Sequence, residues 1–274
     1  MTNSSQAIDV HAHYGNYERT DAPSLIGQFC SGDARTVVQR ALDVNISTTI
    51  VSPLAALLPR GQSNTYSGNQ EAFEVVSNTP GLLQWAVINP LESRSFAQAE
   101  ELLATPKCVG IKLHPEEHVY PISEHGNALF EFAAKHNAVV LVHSGDPYSL
   151  PEDFVPYANR HPNISIILAH LGNGGGASGD PTLQVRAVQQ AQHGNIFTDT
   201  SSARSLAPNL IEWAVSEIGA EKILFGTDTP LYFTAMQKIR IDEAAISTAQ
   251  KQQILWDNAV NLWDAELFER NAAC

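Results

Sequence analysis

The feature that most constrains this chain is a recurrence of eight short apolar segments rich in Val, Ile and Leu, each closing in polar or turn-forming residues. They span 7–13, 46–54, 82–90, 108–114, 138–144, 164–171, 196–201 and 223–228. Runs such as AVVLV and ISIILA are continuous rather than alternating, as strands of a parallel sheet covered on its outer face must be. Parallel neighbours need crossovers, and TVVQRALDV, EAFEVV, FAQAEELLA, ALFEFAAKH, FVPYANRH, LQVRAVQQAQH and LIEWAVSEIG supply apolar residues at helical spacing between the strands. Eight such units predict an α/β fold, a (β/α)8 TIM barrel forming a single domain over residues 1–274. An open doubly wound sheet of this regularity usually has fewer strands. A longer helical tail is expected over 242–268, and the longest irregular loops over 14–32, 55–68 and 171–180.

A core for such a barrel is available, with 43% hydrophobic and 16% charged residues. The net charge is −13 and no basic stripe is present, which argues against nucleic acid and anionic membrane surfaces as partners. No apolar run reaches the roughly 18 to 20 residues of a membrane span, and MTNSSQAIDV has neither a basic nor an apolar leader region. A cytoplasmic location is expected. Cys30, Cys108 and Cys274 are far apart, odd in number and without CxxC spacing, which predicts neither a disulfide framework nor a thiolate zinc site.

In a barrel of this kind the chemistry sits where strands end, because side chains there point into a common mouth. The first strand ends IDVHAH, and period-two alternation puts His11 and His13 on one side, within reach of one ion. The fifth ends VVLVHSG, the sixth IILAHLG and the eighth ILFGTDTP, which places His143, His170 and Asp228 at equivalent ends. One histidine on an apolar strand is as readily a hydrogen-bonded core residue. Four histidines and a carboxylate in register match the N and O donors of a divalent metal, zinc above all. The fourth strand, VGIKLHP, adds Lys112 and His114 on a shared face. A lysine facing a barrel interior is costly to desolvate, so three readings stay open: a carbamate bridging two metals, a contact to substrate, or a structural ion pair. His114 either lines the pocket or closes its strand.

The ordered set HAH, GIKLHP, VHSG, AHLG and GTDTP resembles the amidohydrolase superfamily. More narrowly it is similar to the amidohydrolase-related branch that includes aminocarboxymuconate-semialdehyde decarboxylase and many metal-dependent hydrolases. The resemblance spans nearly the whole chain. It implies that His11 and His13 bind the metal with His143 and Asp228, and that His170 is either a base beside a single ion or a ligand to a second one. It implies one ion, or two if Lys112 is carboxylated.

Zinc with an open position lowers the pKa of bound water from about 15.7 to roughly 7, so the first reading is a hydrolase attacking an amide, ester or lactone carbonyl of a small molecule. Asp228 then takes the proton, His170 steadies the oxyanion or shares the proton, and Lys112 with His114 orients the substrate. The alternative is non-hydrolytic decarboxylation of an unsaturated or aromatic acid, for which Arg204 and Arg60 are the candidate carboxylate readers. A barrel that merely binds metal would fill the coordination shell, which fits a mouth this rich in reactive groups poorly. GNGGGA within 172–177 has dinucleotide-fingerprint spacing, but no helix opens on it, and it reads as a mobile loop over the site. Ser144 and Ser201 lack the G-x-S-x-G elbow. Trp85, Trp213, Trp256 and Trp263 read as packing residues, the last two as a candidate homodimer surface.

Overall fold

A computed structural model describes residues 5–202 and 204–273; Cys274 lies outside the described residues. Eight parallel strands are paired in chain order: β1 Ala7–Tyr14, β2 Ile46–Pro53, β3 Leu82–Val87, β4 Cys108–Leu113, β5 Val139–Val142, β6 Ser165–Leu168, β7 Ile196–Asp199 and β8 Ile223–Leu224. The last strand returns to the first through backbone bonds from Val10 N to Phe225 O (2.9 Å) and from Asp228 N to His11 O (2.7 Å), which close the barrel nearly completely. These bonds tie two site residues, His11 and Asp228, to each other's backbone.

The sequence places β8 over 223–228, but ladder pairing stops at Leu224. Beyond it the chain turns, with Asp228 in the left-handed region at φ 57°, and both Thr227 N and Asp228 N bond the single carbonyl of His11. A second left-handed residue, His170 at φ 71°, ends the β6 segment. Such backbone is costly for non-glycine residues and persists where the surroundings over-determine it, commonly at functional sites. The helical tail also differs from one continuous helix. It comprises Thr248–Gln252, a wide turn Gln253–Asp257, Asn258–Trp263 and Ala265–Asn271, broken at Asp264, whose side chain caps the last piece by accepting from Glu266 N. The break is where Trp263 turns its Nε1 to Val109 O (2.8 Å) and Phe268 enters the core.

The barrel interior is filled by Ile8, Val10, Ile50, Leu83, Trp85, Leu141, Ile167 and Leu224, with Phe268 beneath and Trp256 and Trp263 packed alongside. Residues of opposite strands touch there, so the lower barrel is a packed plug and only its upper end is open to chemistry. Trp85 satisfies its indole N–H on Val10 O (3.0 Å). Separate clusters seat the helices on the outer faces of the sheet. Cys30 and Cys108 are free thiols, and among the described residues no helix is long and apolar enough to cross a membrane.

Candidate active site

Three of the expected donors meet at one point. Asp228 Oδ1 lies 3.1 Å from His13 Nε2 and 3.7 Å from His11 Nε2. All three residues are buried, and their donor atoms lie within 4.8 Å of one another. The backs of both imidazoles are engaged. His11 Nδ1 donates to Asp199 Oδ2 (2.7 Å), and His13 Nδ1 donates to Ser52 O (3.1 Å). Each ring therefore carries its proton on Nδ1 and turns the Nε2 lone pair toward Asp228. Asp228 Oδ1 is shut off from solvent without a hydrogen-bond partner of good geometry among the described residues. The inward lone pair of His13 and the orphaned Asp228 oxygen have no donor between them, and a divalent cation would satisfy both together with His11 once Lys112 gives up its nitrogen.

Electrostatics agree. Burial holds His11 well below its ordinary range and His170 at about 3, which keeps both rings neutral and their lone pairs available. Burial alone would raise the Asp228 carboxyl, but the close His13 contact and the other histidines around it outweigh burial and hold the group below its ordinary range. Lys112 is fully buried, pulled down to about 8 by desolvation, with its Nζ 2.9 Å from His11 Nε2. It therefore shares the very nitrogen that faces Asp228.

His170 and His143 lie one step further out. Their rings meet at 3.1 Å, His170 Nε2 to His143 Nδ1, and His143 Nε2 reaches Asp146 Oδ2 at 2.7 Å. His143 thus becomes a metal donor only by giving up Asp146 or His170. His114 stacks on His143 with ring centroids 4.3 Å apart, and its Nδ1 accepts from Glu117 N, capping the short helix Pro115–His118. It follows the last residue of β4 and lines the cavity.

That cavity, about 540 Å³, opens over the site and is lined by His13, His114, His143, His170 and Asp228 together with Leu54, Leu57, Leu231, Tyr17 and Tyr232. Three arginines reach it. Arg19 and Arg60 are both paired with Glu117, at 2.7 and 3.3 Å. Arg204 has no ion pair among the described residues, and the glycine-rich loop packs on it. A Cβ on Gly175 would come within 2.8 Å of its guanidinium, and one on Gly176 would strike Asp146.

Residue-by-residue reading of the sequence missed Asp199 and Asp146, and weighed Ser201 only as a nucleophile. Asp199 is fully buried, and besides His11 it accepts from His170 N (3.0 Å) and Ser201 N (2.9 Å). Ser201 Oγ sits 2.8 Å from His170 Nδ1 and 3.0 Å from His11 Nδ1. Asp199, His11 and His170 also form a group with metal-like spacing. With its oxygens occupied by N–H donors, Asp199 instead acts as the carboxylate that orients a ligand histidine. Its signal was present in IFTDTSS, a carboxylate ending a strand, the same cue that identified Asp228.

The amidohydrolase family model matches residues 8–265, most of the chain. The chain belongs to the amidohydrolase family. No curated protein matches it. Among solved structures, an uncharacterised TIM-barrel protein from Bordetella bronchiseptica superposes with a TM-score of 0.73 at 15% identity, covering 97% of this chain and 100% of that one. A 2,6-dihydroxybenzoate decarboxylase from Rhizobium gives 0.70 at 15%, covering 97% and 99%. A dihydroxybenzoic acid decarboxylase from a Polaromonas species, with bound manganese and the inhibitor 2-nitroresorcinol, gives 0.68 at 18%, covering 98% of each chain. At such identities the likeness is one of fold, and this amidohydrolase-family barrel shares it end to end.

Proposed function

We propose that the protein is a metal-dependent, non-hydrolytic decarboxylase of an unsaturated or aromatic carboxylic acid. The observation that carries this reading is Arg204, the cavity arginine without an ion pair among the described residues, set in the same cavity wall as the metal-type donor set. Arg204 is exposed at the cavity rim, and a guanidinium free of a carboxylate there can grip a substrate carboxylate with two parallel N–H bonds. The leucines and tyrosines around it offer flat apolar walls, as an unsaturated ring requires. Solved relatives of this fold that act on dihydroxybenzoates support the same substrate chemistry.

His11, His13 and Asp228 would hold the cation, with His143 as a further donor. The ion would supply positive charge to draw electron density off the substrate's oxygens. The bond between the carboxyl carbon and its neighbour breaks, carbon dioxide leaves, and the electron pair stays on the substrate carbon. One proton then replaces the carboxyl group. We assign its delivery to His170, which is neutral at rest with Nδ1 held by Ser201, and which takes the proton up from solvent at Nε2 before passing it to the substrate carbon. Arg204 orients the carboxylate until the bond breaks, and Lys112, fully buried against His11, keeps water from the inner wall.

Hydrolysis is the second reading, and Asp228 favours it, since a buried carboxylate oxygen beside the metal donors can accept a proton from water. One assay separates the two. Protein loaded with Zn2+ or Mn2+ is expected to release CO2 from a panel of hydroxybenzoic and unsaturated acids while leaving amides, esters and lactones intact. Turnover confined to the carbonyl panel overturns the decarboxylase reading.

A further inference from the structure

Arg240 is a cation that feels Asp199 and Glu212 without pairing closely with either. It lies on the helix Thr234–Asp242, which follows the Asp228 turn, and forms no ion pair among the described residues. Its Nε is shut off from solvent and has no hydrogen-bond partner there, and desolvation draws the guanidinium down to about 10. Both terminal nitrogens are committed: Nη2 donates to Thr200 O at 2.9 Å and Nη1 donates to Ser205 O. One turn earlier on the same face, buried Gln237 donates from Nε2 to Ser202 O at 3.0 Å. Two side chains spaced three apart thus take three carbonyls from the segment 200–205.

That segment follows β7, where the sheet ladder has ended and backbone carbonyls must find partners elsewhere. Between the clamped carbonyls sits Ser201, whose hydroxyl touches His11 and His170, and within the segment lies Arg204 at the cavity. The helix also begins at Thr234, whose Oγ1 donates to Thr229 Oγ1 (3.1 Å) next to Asp228. One helix therefore braces the β7 loop and the β8 turn together. If packing were all that mattered here, an apolar residue would serve better, because a desolvated cation without a close ion pair is costly. The cost makes sense if the fork sets geometry.

We propose that Arg240, seconded by Gln237, is a positioning residue of the active site, fixing the backbone at Thr200, Ser202 and Ser205 so that Ser201 stays against His11 and His170 and Arg204 stays turned to the cavity. The functional half of this claim rests on the cavity being the site of the proposed reaction; the clamp itself does not.

The test compares the full chain with Arg240→Met and Arg240→Lys. Amide hydrogen exchange reads the segment directly, since Thr200 N is bonded to Leu224 O and Ser201 N to Asp199. Cobalt titration of the metal-stripped protein, followed by visible absorption, reads the donor set without turnover. The methionine variant is expected to melt cooperatively, to lose at least about tenfold protection in 200–206 only, and to bind Co2+ about tenfold more weakly. Lysine, reaching one carbonyl, recovers part of the protection. Unchanged protection at 200–206, or an equal loss throughout the barrel, overturns the proposal. Should the methionine variant fail to fold, Gln237→Leu removes the Ser202 bond alone and must raise exchange in the same segment. Wild-type protein that takes up no Co2+ would defeat the metal reading, while the exchange data would still decide on the clamp.

Discussion

Asp199 shows how a residue that touches no substrate governs the donor set. It holds His11 by Nδ1, and the opposite nitrogen then faces Asp228 at 3.7 Å. Asp199→Asn keeps the size and leaves an oxygen for the His170 and Ser201 amides, but removes the charge that fixes the His11 tautomer. Metal affinity should fall about 10- to 100-fold with the fold intact, as read by metal titration of the stripped protein. Affinity equal to wild type would remove Asp199 from the site. Asp228→Asn is a different lesion. It leaves two imidazoles to hold the ion in part but takes the charge from the orphaned oxygen, and kcat should drop by about 10²- to 10⁴-fold. Activity within a few-fold of wild type would exclude Asp228 from the chemistry. Both histidines of the HAH pair were legible because strand period two settles their side. Asp199 was passed over because Ser201 was taken as the strand's end, and Arg240 because nothing in a helix repeat announces which loop its tip will reach.

At the scale of elements, the continuous apolar runs made the strands legible, since a strand covered on both faces admits little else. Their ends were less so. The seam between β8 and β1 is made by irregular backbone bonds rather than a ladder, and the breaks in the tail depend on where Trp263 and Phe268 meet the barrel floor. Short connectors carry their own energetics. The helix Pro115–His118 ends in a buried histidine whose Nε2 donates to Ala56 O (2.9 Å), tying the β4 loop to the β2 loop, while Nδ1 has no partner among the described residues. Burial pulls His118 down to about 4 from 6.5. The fold therefore favours the neutral ring. This contribution is fully present above pH 6.5 and is lost as pH falls toward 4, by about 3 kcal/mol in all. His118→Gln, which can keep the bond to Ala56, should flatten the loss of stability between pH 6.5 and 4 by that amount in urea melts. An unchanged slope would place the acid sensitivity elsewhere.

Over the whole molecule, a packed lower barrel supports an upper mouth into which two histidines, a carboxylate and a fully buried lysine are driven without solvent. Trp85 is the largest fully buried side chain of that lower core and is bonded to Val10 O, the residue next to His11 on β1. Trp85→Ala should cost about 3–5 kcal/mol in denaturant melts, because transfer and cavity terms add. A loss under 1 kcal/mol would mean the plug is not load-sharing. The mouth has the opposite character, since burying His11, His13 and Asp228 against one another costs stability that a cation restores. The unfolded chain holds these groups 217 residues apart, the difference between positions 11 and 228, and offers no comparable site. A divalent ion that binds only the folded form at a hundred times its dissociation constant adds about 2.7 kcal/mol. In a chain of this size each kcal/mol shifts Tm by about 2–4 °C. Metal-stripped protein titrated with Zn2+ or Mn2+ should therefore melt about 5–10 °C higher, chelator should reverse the shift, and a His11→Ala, His13→Ala double variant should show none. An equal rise in that double variant would mean the ion binds somewhere other than between His11, His13 and Asp228.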